Sequence, residues 1–309
     1  MTDFKNWREF SDQEGRGSIL EVDLEYQKKL HDLHNDYPLA PERIEINKVE
    51  KFIPNLNEKK KYVLHHKNLK QYLDLGLKLT KIHRGISFDK KAWLKPYIEL
   101  NTNFRSKAQN EFEKDFFKLM NNSGFGMTME NIRNRVNIRL VNNQKSLKKC
   151  AAKPNFDHCT VFDQNLFAVH MKKTELVFNK TVYLGMSILD LSKTLMYDFH
   201  YNYIKKKFGS RVNLLFTDTD SLCCEIETEY FFKDISADVQ EKFDTSNFSP
   251  NHPSGIPTGI NKKVPGMLKD EAGGEIIDEF DGLRAKIYAI KKLDGEEEQK
   301  CKGVKRNVI

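Results

Sequence analysis

The chain has 309 residues, 39% hydrophobic and 11% aromatic, enough for one large domain or two smaller ones and too apolar for a disordered chain. Lysine and arginine number 51 against 44 acidic residues, a formal charge of +7 that accommodates a polyanionic partner without requiring one. Five cysteines without Cys-x-x-Cys spacing argue against a disulfide framework or a structural zinc, and no apolar run is long enough to cross a bilayer, so the expectation is an intracellular protein with reduced thiols and no membrane partner, nucleus and cytoplasm not separated.

Residues 1–16 are polar and aperiodic, which predicts a frayed start. Ser18 to Tyr26 alternates apolar and acidic residues, the pattern of a half-buried strand with Glu21, Asp23 and Glu25 outward. Lys29 to Tyr37 reads as a polar connection with His31 and His34 on its surface, and Pro38 and Pro41 fix an extended course. A strand over Lys61 to His66, a helix over Leu69 to Leu75 closed by Gly76, and a strand over Leu77 to Phe88 complete a small α+β unit.

Lys90 to Ile98 opens a helical region, and Asn101 or Thr102 is placed to cap a helix from Asn103 to Asn122. Its stripe of Phe104, Ala108, Phe112, Phe116 and Met120 recurs every four residues, and Lys107, Lys114 and Lys118 project together on the other side. The helix runs into Asn122-Ser123-Gly124-Phe125-Gly126, where two glycines let the backbone turn sharply against a flat ligand or end the helix as a cap.

Strands are expected over Val136 to Val141, Leu166 to His170 and Glu175 to Phe178, then a long helix from Lys180 to Gly209 with Ile188, Leu191, Leu195 and Phe199 inside. Val212 to Phe216 and Leu222 to Ile226 read as two strands meeting in a Thr-Asp-Thr-Asp-Ser tip. Two carboxylates this close repel unless a cation sits with them, and magnesium, which favours hard oxygen ligands and substrate phosphates, is the natural candidate. An Asp-x-Asp pair alone is more often an ordinary solvated turn. Asp234 to Gly259 is turn-rich and expected to cover one edge; Glu275 to Phe280, Leu283 to Leu293 and a return strand to Val304 form a hairpin carrying Arg284, Lys286 and Tyr288.

Taken together, Lys118-x-x-x-Asn122-Ser123-x-Phe125-Gly126 resembles motif B of family B DNA polymerases, and Phe216-Thr217-Asp218-Thr219-Asp220-Ser221 resembles their motif C, each with Phe in place of Tyr. Lys286-Ile287-Tyr288 is similar to the family's Lys-x-Tyr motif and falls in the right order, and three ordered motifs are far more specific than one. The surrounding phrasing, from Glu21 to Tyr26, Leu39 to Glu42 and Ile188 to Lys193, most resembles the protein-primed branch of Polinton-like transposons, adenovirus-like elements and linear plasmids.

The resemblance implies an α+β fold: a palm of mixed or antiparallel sheet backed by helices (134–309), helical fingers (93–133) and a small α+β insertion (1–92), with exonuclease and thumb absent. It implies a DNA-directed DNA polymerase that adds deoxynucleotides to a 3′-hydroxyl using two Mg2+ ions, or Mn2+, held by Asp218 and Asp220. Arg105, Lys107, Lys118, Asn122, Phe125 and Gly126 would bind the nucleotide, and Ser221, Lys286 and Tyr288 the DNA. Partners implied are primer-template DNA, dNTPs and a terminal protein as primer. The family's Asp-x-x-x-Leu-Tyr motif A does not occur; Asp23 has Tyr at its third following position, so that segment reads as the strand after motif A, and the expectation is a central fragment. Two rival readings are a DNA-binding remnant without catalysis and a metal-dependent nucleotide-sugar transferase.

Overall fold

The computed structural model describes residues 7–8, 15–284 and 286–304. The chain is α+β and divides into two compact units, Met1–Lys118 with Ser187–Ile309, and Leu119–Met186. Much of the frayed start expected over residues 1–16 lies outside the described residues.

In the first unit β1 (Arg16–Glu25) is followed by a hairpin of β2 (Glu42–Ile46) and β3 (Val49–Ile53), then β4 (Lys59–His65), helix α1 (His66–Asp74) and β5 (Lys78–Asp89). β1 is the centre of an antiparallel sheet ordered β4-β1-β5, because its alternation puts Leu20, Val22 and Leu24 inside while Glu21 meets Arg84 and Asp23 meets His83, both at 2.8 Å. Gly76 ends α1 at φ 104°, as its sequence position predicts. The polar connection does not stay on the surface. His34 is fully buried, with Nδ1 2.8 Å from the Tyr26 hydroxyl and its ring 5.0 Å from that of Tyr201. The β2–β3 hairpin was not anticipated.

The predicted helix Asn103–Asn122 is two helices, α2 (Lys95–Lys107) and α3 (Glu111–Thr128). Asn110 breaks it: its side chain accepts the Glu113 N–H at 2.9 Å while Glu113 reaches back to the Gln109 N–H at 3.1 Å, a reciprocal cap that starts a new helix. Lys107 therefore lies on a different helix from Lys114 and Lys118, and the phenylalanine stripe faces outward, Phe112 being 79% exposed. The helix also continues through Gly124 and Gly126, which make no sharp turn.

The second unit adds β6 (Asn137–Val141), α4 (Gln144–Ala151), β7 (Phe156–Asp163) and β8 (Leu166–Met171), paired β6-β8-β7. α4 lays Cys150 against Val169 and Met171. Neither α4 nor β7 was expected, and the strand predicted over Glu175 to Phe178 is irregular chain instead. Glu130 holds this region together by gripping Arg135 at 2.5 and 2.6 Å and Lys180 at 2.7 Å, bonds that push its carboxyl down to about 2.

The long helix is present as α5 (Val182–Tyr197), wider π-type turns over Asp198–Lys205, and a last turn Lys206–Phe208. Its inner face differs from the prediction. Ile188, Leu191 and Leu195 are each about 40% exposed, whereas Asp190, Tyr197, Tyr201 and Ile204 are buried. The polar anchors decide this: Asp190 accepts the His65 N–H at 2.9 Å, and the Tyr197 and Tyr201 hydroxyls donate to the Pro38 and Tyr37 carbonyls at 3.0 and 2.5 Å.

The chain then forms the antiparallel pair β9 (Val212–Asp218) and β10 (Ser221–Ile226), the short parallel pair β11 (Phe243–Asp244) and β12 (Leu268–Lys269), and a meander of β13 (Ile277–Arg284), β14 (Ile287–Lys292) and β15 (Glu297–Cys301). The turn-rich stretch after β10 has a core of its own, in which Phe232, Ile235, Val239 and Phe248 pack together. The single strand expected from Leu283 to Leu293 is divided between β13 and β14, and the Arg284 side chain lies outside the described residues. Among the described residues no helix is long and apolar enough to cross a membrane, and all five cysteines are free thiols.

Candidate active site

β9 and β10 pair with Asp218 opposite Ser221 and Thr217 opposite Leu222, so only Thr219 and Asp220 form the tip. Thr219 sits at φ 57°, a left-handed conformation that a β-branched residue adopts only under constraint. The Asp220 N–H donates to the Asp218 carbonyl at 2.6 Å, and the Ser221 hydroxyl donates to the same carbonyl at 3.3 Å. The tip thus holds both carboxylates at one end of the hairpin.

The β13–β14 turn supplies the facing wall. Lys286, at φ 64°, extends its Nζ to Asp218 Oδ2 at 3.0 Å. Tyr288 lays its ring 4.8 Å from Phe216 and 6.0 Å from Phe280, which aligns the meander with the hairpin through aromatic packing. Lys300, paired with Tyr288 across β14–β15, lies 5.5 Å from that ring. Its ammonium is stabilised by bonding to the Tyr288 hydroxyl and then to Glu298, which raises its affinity for the proton. The Lys302 N–H donates to the Lys286 carbonyl at 3.0 Å and fixes the end of β15.

These groups surround an open cavity of about 690 Å3. Asp218, Asp220 and Ser221 form one side, Lys286 and Tyr288 another, and Lys300 and Lys302 a third; Glu271 also reaches it. Five sequence-predicted residues therefore converge. Lys300, Lys302 and Glu271 were missed as site residues, although the alternation of Lys300-Cys301-Lys302 beside the Lys-x-Tyr strand was a usable signal.

Two carboxylates with a neighbouring hydroxyl suit magnesium, a hard cation that completes its shell with water and substrate phosphates. Asp218 already takes a positive partner in Lys286, which is the electrostatic demand such an ion would meet. Among the described residues no cluster of three His, Cys, Asp or Glu side chains is arranged to hold a metal. Asp23 does not join the pair: its carboxylate accepts the Lys61 N–H at 2.7 Å and lies 2.8 Å from His83 Nε2, and those two bonds hold its carboxyl below the usual range.

The remaining predicted residues lie on the two helices. Arg105 and Lys107 occupy the last turn of α2 and do not line the cavity; the Arg105 carbonyl accepts a bond from Lys263 Nζ at 2.8 Å. Lys118, Asn122 and Phe125 share one face of α3 by their spacing of four and three residues, with Lys118 and Asn122 exposed and Phe125 half-buried. Lys118 belongs to the first unit, and Asn122, Phe125 and Gly126 to the second.

The sequence profile described as DNA polymerase type B, organellar and viral, matches residues 4–206. No curated protein matches the chain. Among solved structures the chain is similar to Phi29 DNA polymerase in its orthorhombic crystal form, with a TM-score of 0.56 at 14% identity, covering 97% of this chain and 46% of that one. It is also similar to Phi29 DNA polymerase complexed with primer-template DNA and incoming nucleotide substrates, with a TM-score of 0.53 at 15% identity over 95% of this chain and 44% of that one. The chain spans less than half the length of the polymerase whose fold it shares.

Proposed function

Because this chain belongs to the organellar and viral type B DNA polymerases, we propose that it carries the nucleotidyl-transfer core of a protein-primed enzyme, adding deoxynucleotides to a primer 3′-hydroxyl on a DNA template. The observation that carries this reading is the convergence of Asp218, Asp220, Ser221, Lys286 and Tyr288 on one cavity. Asp220 and Asp218 would hold Mg2+ or Mn2+, which when bound stabilises negative charge on the phosphate being transferred and on the hydroxyl that attacks it. Lys286 would hold Asp218 in place until substrate arrives and then, with Tyr288, grip the primer backbone beside Ser221.

Lys118 would neutralise charge on the incoming triphosphate, and Arg105 and Lys107 would add a further phosphate contact. Asn122, Phe125 and Gly126 would form the floor beneath the nascent base pair, where a flat ring packs without reading sequence. In this reading 1–92 is the insertion of the protein-primed branch, 93–133 the fingers and 134–309 the palm, and a terminal protein is the natural primer.

A second reading is favoured by one specific observation. Among the described residues Asp218 and Asp220 are the two carboxylates at the hairpin tip, no group of three His, Cys, Asp or Glu side chains is arranged to hold a metal, and Asp23 is committed to His83 and Lys61. A chain that binds primer-template without extending it would fit that geometry. Primer extension by the 309-residue chain with magnesium or manganese, beside Asp220→Asn, separates the two. Extension lost in the variant supports the polymerase; tight primer-template binding without extension supports the binding remnant; neither binding nor extension overturns both.

A further inference from the structure

Asp36, Tyr37 and Pro38 follow one another in the connection after β1, and the long helix grips them one by one. Lys205 Nζ donates to Asp36 Oδ2 at 3.0 Å, the Tyr201 hydroxyl to the Tyr37 carbonyl at 2.5 Å, and the Tyr197 hydroxyl to the Pro38 carbonyl at 3.0 Å. Residues four apart on the helix thus meet successive residues of the connection. The π-type turns over Asp198–Lys205 rotate less per residue than an α-helix does, which counters the drift that plain α-helix would put between Tyr197 and Lys205. The Tyr37 ring is held as well, 4.6 Å from that of Tyr197 and edge-on to the buried His200 at 5.4 Å.

The segment so fixed lies against β9. Lys205 Nζ also donates to the Val212 carbonyl at 3.0 Å, tying Asp36 to the start of the strand, and Asp36 shares a cavity of about 250 Å3 with Leu214 to Thr217. Near the other end of the strand the Tyr37 and Thr217 hydroxyls share a hydrogen bond. Thr217 immediately precedes Asp218, and successive side chains of a strand point to opposite faces, so Tyr37 braces one face of β9 where Lys286 meets Asp218 on the other. The ring and backbone of Tyr37 anchor it to the helix; its hydroxyl goes to the hairpin.

We propose that Tyr37 is a positioning residue for the Asp218–Asp220 pair: through Thr217 it fixes the end of β9, and with it the direction in which the two carboxylates face a divalent cation. The proposal rests on the polymerase reading above, in which that pair holds Mg2+ or Mn2+. Thr219 is the reason a brace is needed, since its φ of 57° strains the turn between the two carboxylates, and such a turn persists only where its surroundings hold it. Magnesium is exacting about ligand geometry, so a small loss of alignment at Asp218 weakens metal binding where it changes stability little.

The test uses the full chain and two variants that each remove one hydroxyl while keeping the bulk of the side chain, Tyr37→Phe and Thr217→Val, alone and together. Mn2+ is titrated by electron paramagnetic resonance, which needs no turnover, and binding that is lost in Asp220→Asn marks the hairpin tip. Each single variant is expected to weaken that binding about tenfold and, in primer extension, to lower kcat more than it raises KM for the nucleotide. The double variant loses no more than the more affected single variant, because the two hydroxyls act on each other. Melting midpoints fall by at most about 4 °C, the measure of one lost hydrogen bond. Wild-type Mn2+ affinity in Tyr37→Phe, losses that add in the double variant, or losses that merely track a larger fall in melting temperature overturn the positioning role alone. A wild type with no Mn2+ binding that depends on Asp220 overturns the polymerase reading together with it.

Discussion

Lys286 Nζ lies 3.0 Å from Asp218 Oδ2, joining the turn of the C-terminal meander to the hairpin tip. Both side chains are partly solvent-accessible, so the pair itself contributes at most about 1 kcal/mol to stability. Its weight is in positioning: it sets which way the Asp218 carboxylate points and where the Lys286 ammonium sits beside the cavity.

Lys286 also occupies φ 64°, which glycine adopts without strain. Lys286→Gly should therefore leave thermal stability unchanged or raise it slightly, while weakening primer-template binding and lowering its salt slope by about 1. A melting curve and a salt series measure the two separately, and a large loss of stability would show that the ion pair outweighs the backbone strain.

Thr219 presents the same conflict at the tip. Left-handed geometry costs an ordinary L-residue roughly 1–2 kcal/mol, and glycine gives back about half of that gain through greater freedom when unfolded. Thr219→Gly is expected to stabilise the chain by about 1 kcal/mol in urea unfolding. A neutral or negative result would mean that the Thr219 hydroxyl, 3.3 Å from Asp218 Oδ1, matters more than the backbone.

Asp190 is the polar hinge between α5 and the sheet. Its carboxylate accepts the His65 N–H at 2.9 Å and lies 3.2 Å from Lys193 Nζ, with only 6% of its surface exposed. Asp190→Ala strands the buried His65 N–H and should cost about 2–4 kcal/mol, whereas Asp190→Asn keeps an acceptor there and should cost about 1. Equal losses for the two variants would argue against a hydrogen-bond role.

Acid should destabilise the first unit before carboxylates are titrated. Burial pushes His34 and His200 down to about 4 and His65 down to about 3, so all three stay neutral in the fold at pH values where an unfolded chain binds their protons. The unfolded state therefore gains protons as pH falls below about 6.5, and stability is lost down through the folded values near 4 and 3. Each histidine adds a slope approaching 1.4 kcal/mol per pH unit in that window, at roughly constant ionic strength. Urea unfolding between neutral pH and mild acid measures it; a flat profile for the wild type, or one unchanged in His200→Phe, would contradict the assignment.

Local pattern was enough for much of the architecture. The alternation from Ser18 to Tyr26 marked β1, Gly76 marked the end of α1, and the apolar arms around Thr217 to Ser221 marked the β9–β10 hairpin, because each depends on the side chains of a single short segment. The same locality made the ordered Lys118, Asp218–Asp220 and Lys286–Tyr288 motifs readable, and the family profile that matches residues 4–206 includes the first of them. The break at Asn110 was also local, an Asn three residues before Glu113, but the four-residue phenylalanine stripe runs across it and suggests continuity.

Other features depended on partners distant in the chain. Periodicity put Ile188, Leu191 and Leu195 inside the long helix, yet a hydrogen bond from His65 and carbonyls at Tyr37 and Pro38 turned Asp190, Tyr197 and Tyr201 inward instead. The helix stays where its polar groups are satisfied, since a buried unpaired donor costs more than a half-exposed leucine. For the same reason Lys300 and Lys302 became part of the cavity and Lys263 met Arg105, 158 residues away, only once the strands and loops that carry them were packed. Sequence alone determined which motifs and chemical groups this protein has; tertiary packing decided which of those groups face one another, because that choice is set by long-range burial and hydrogen bonding that no single segment contains.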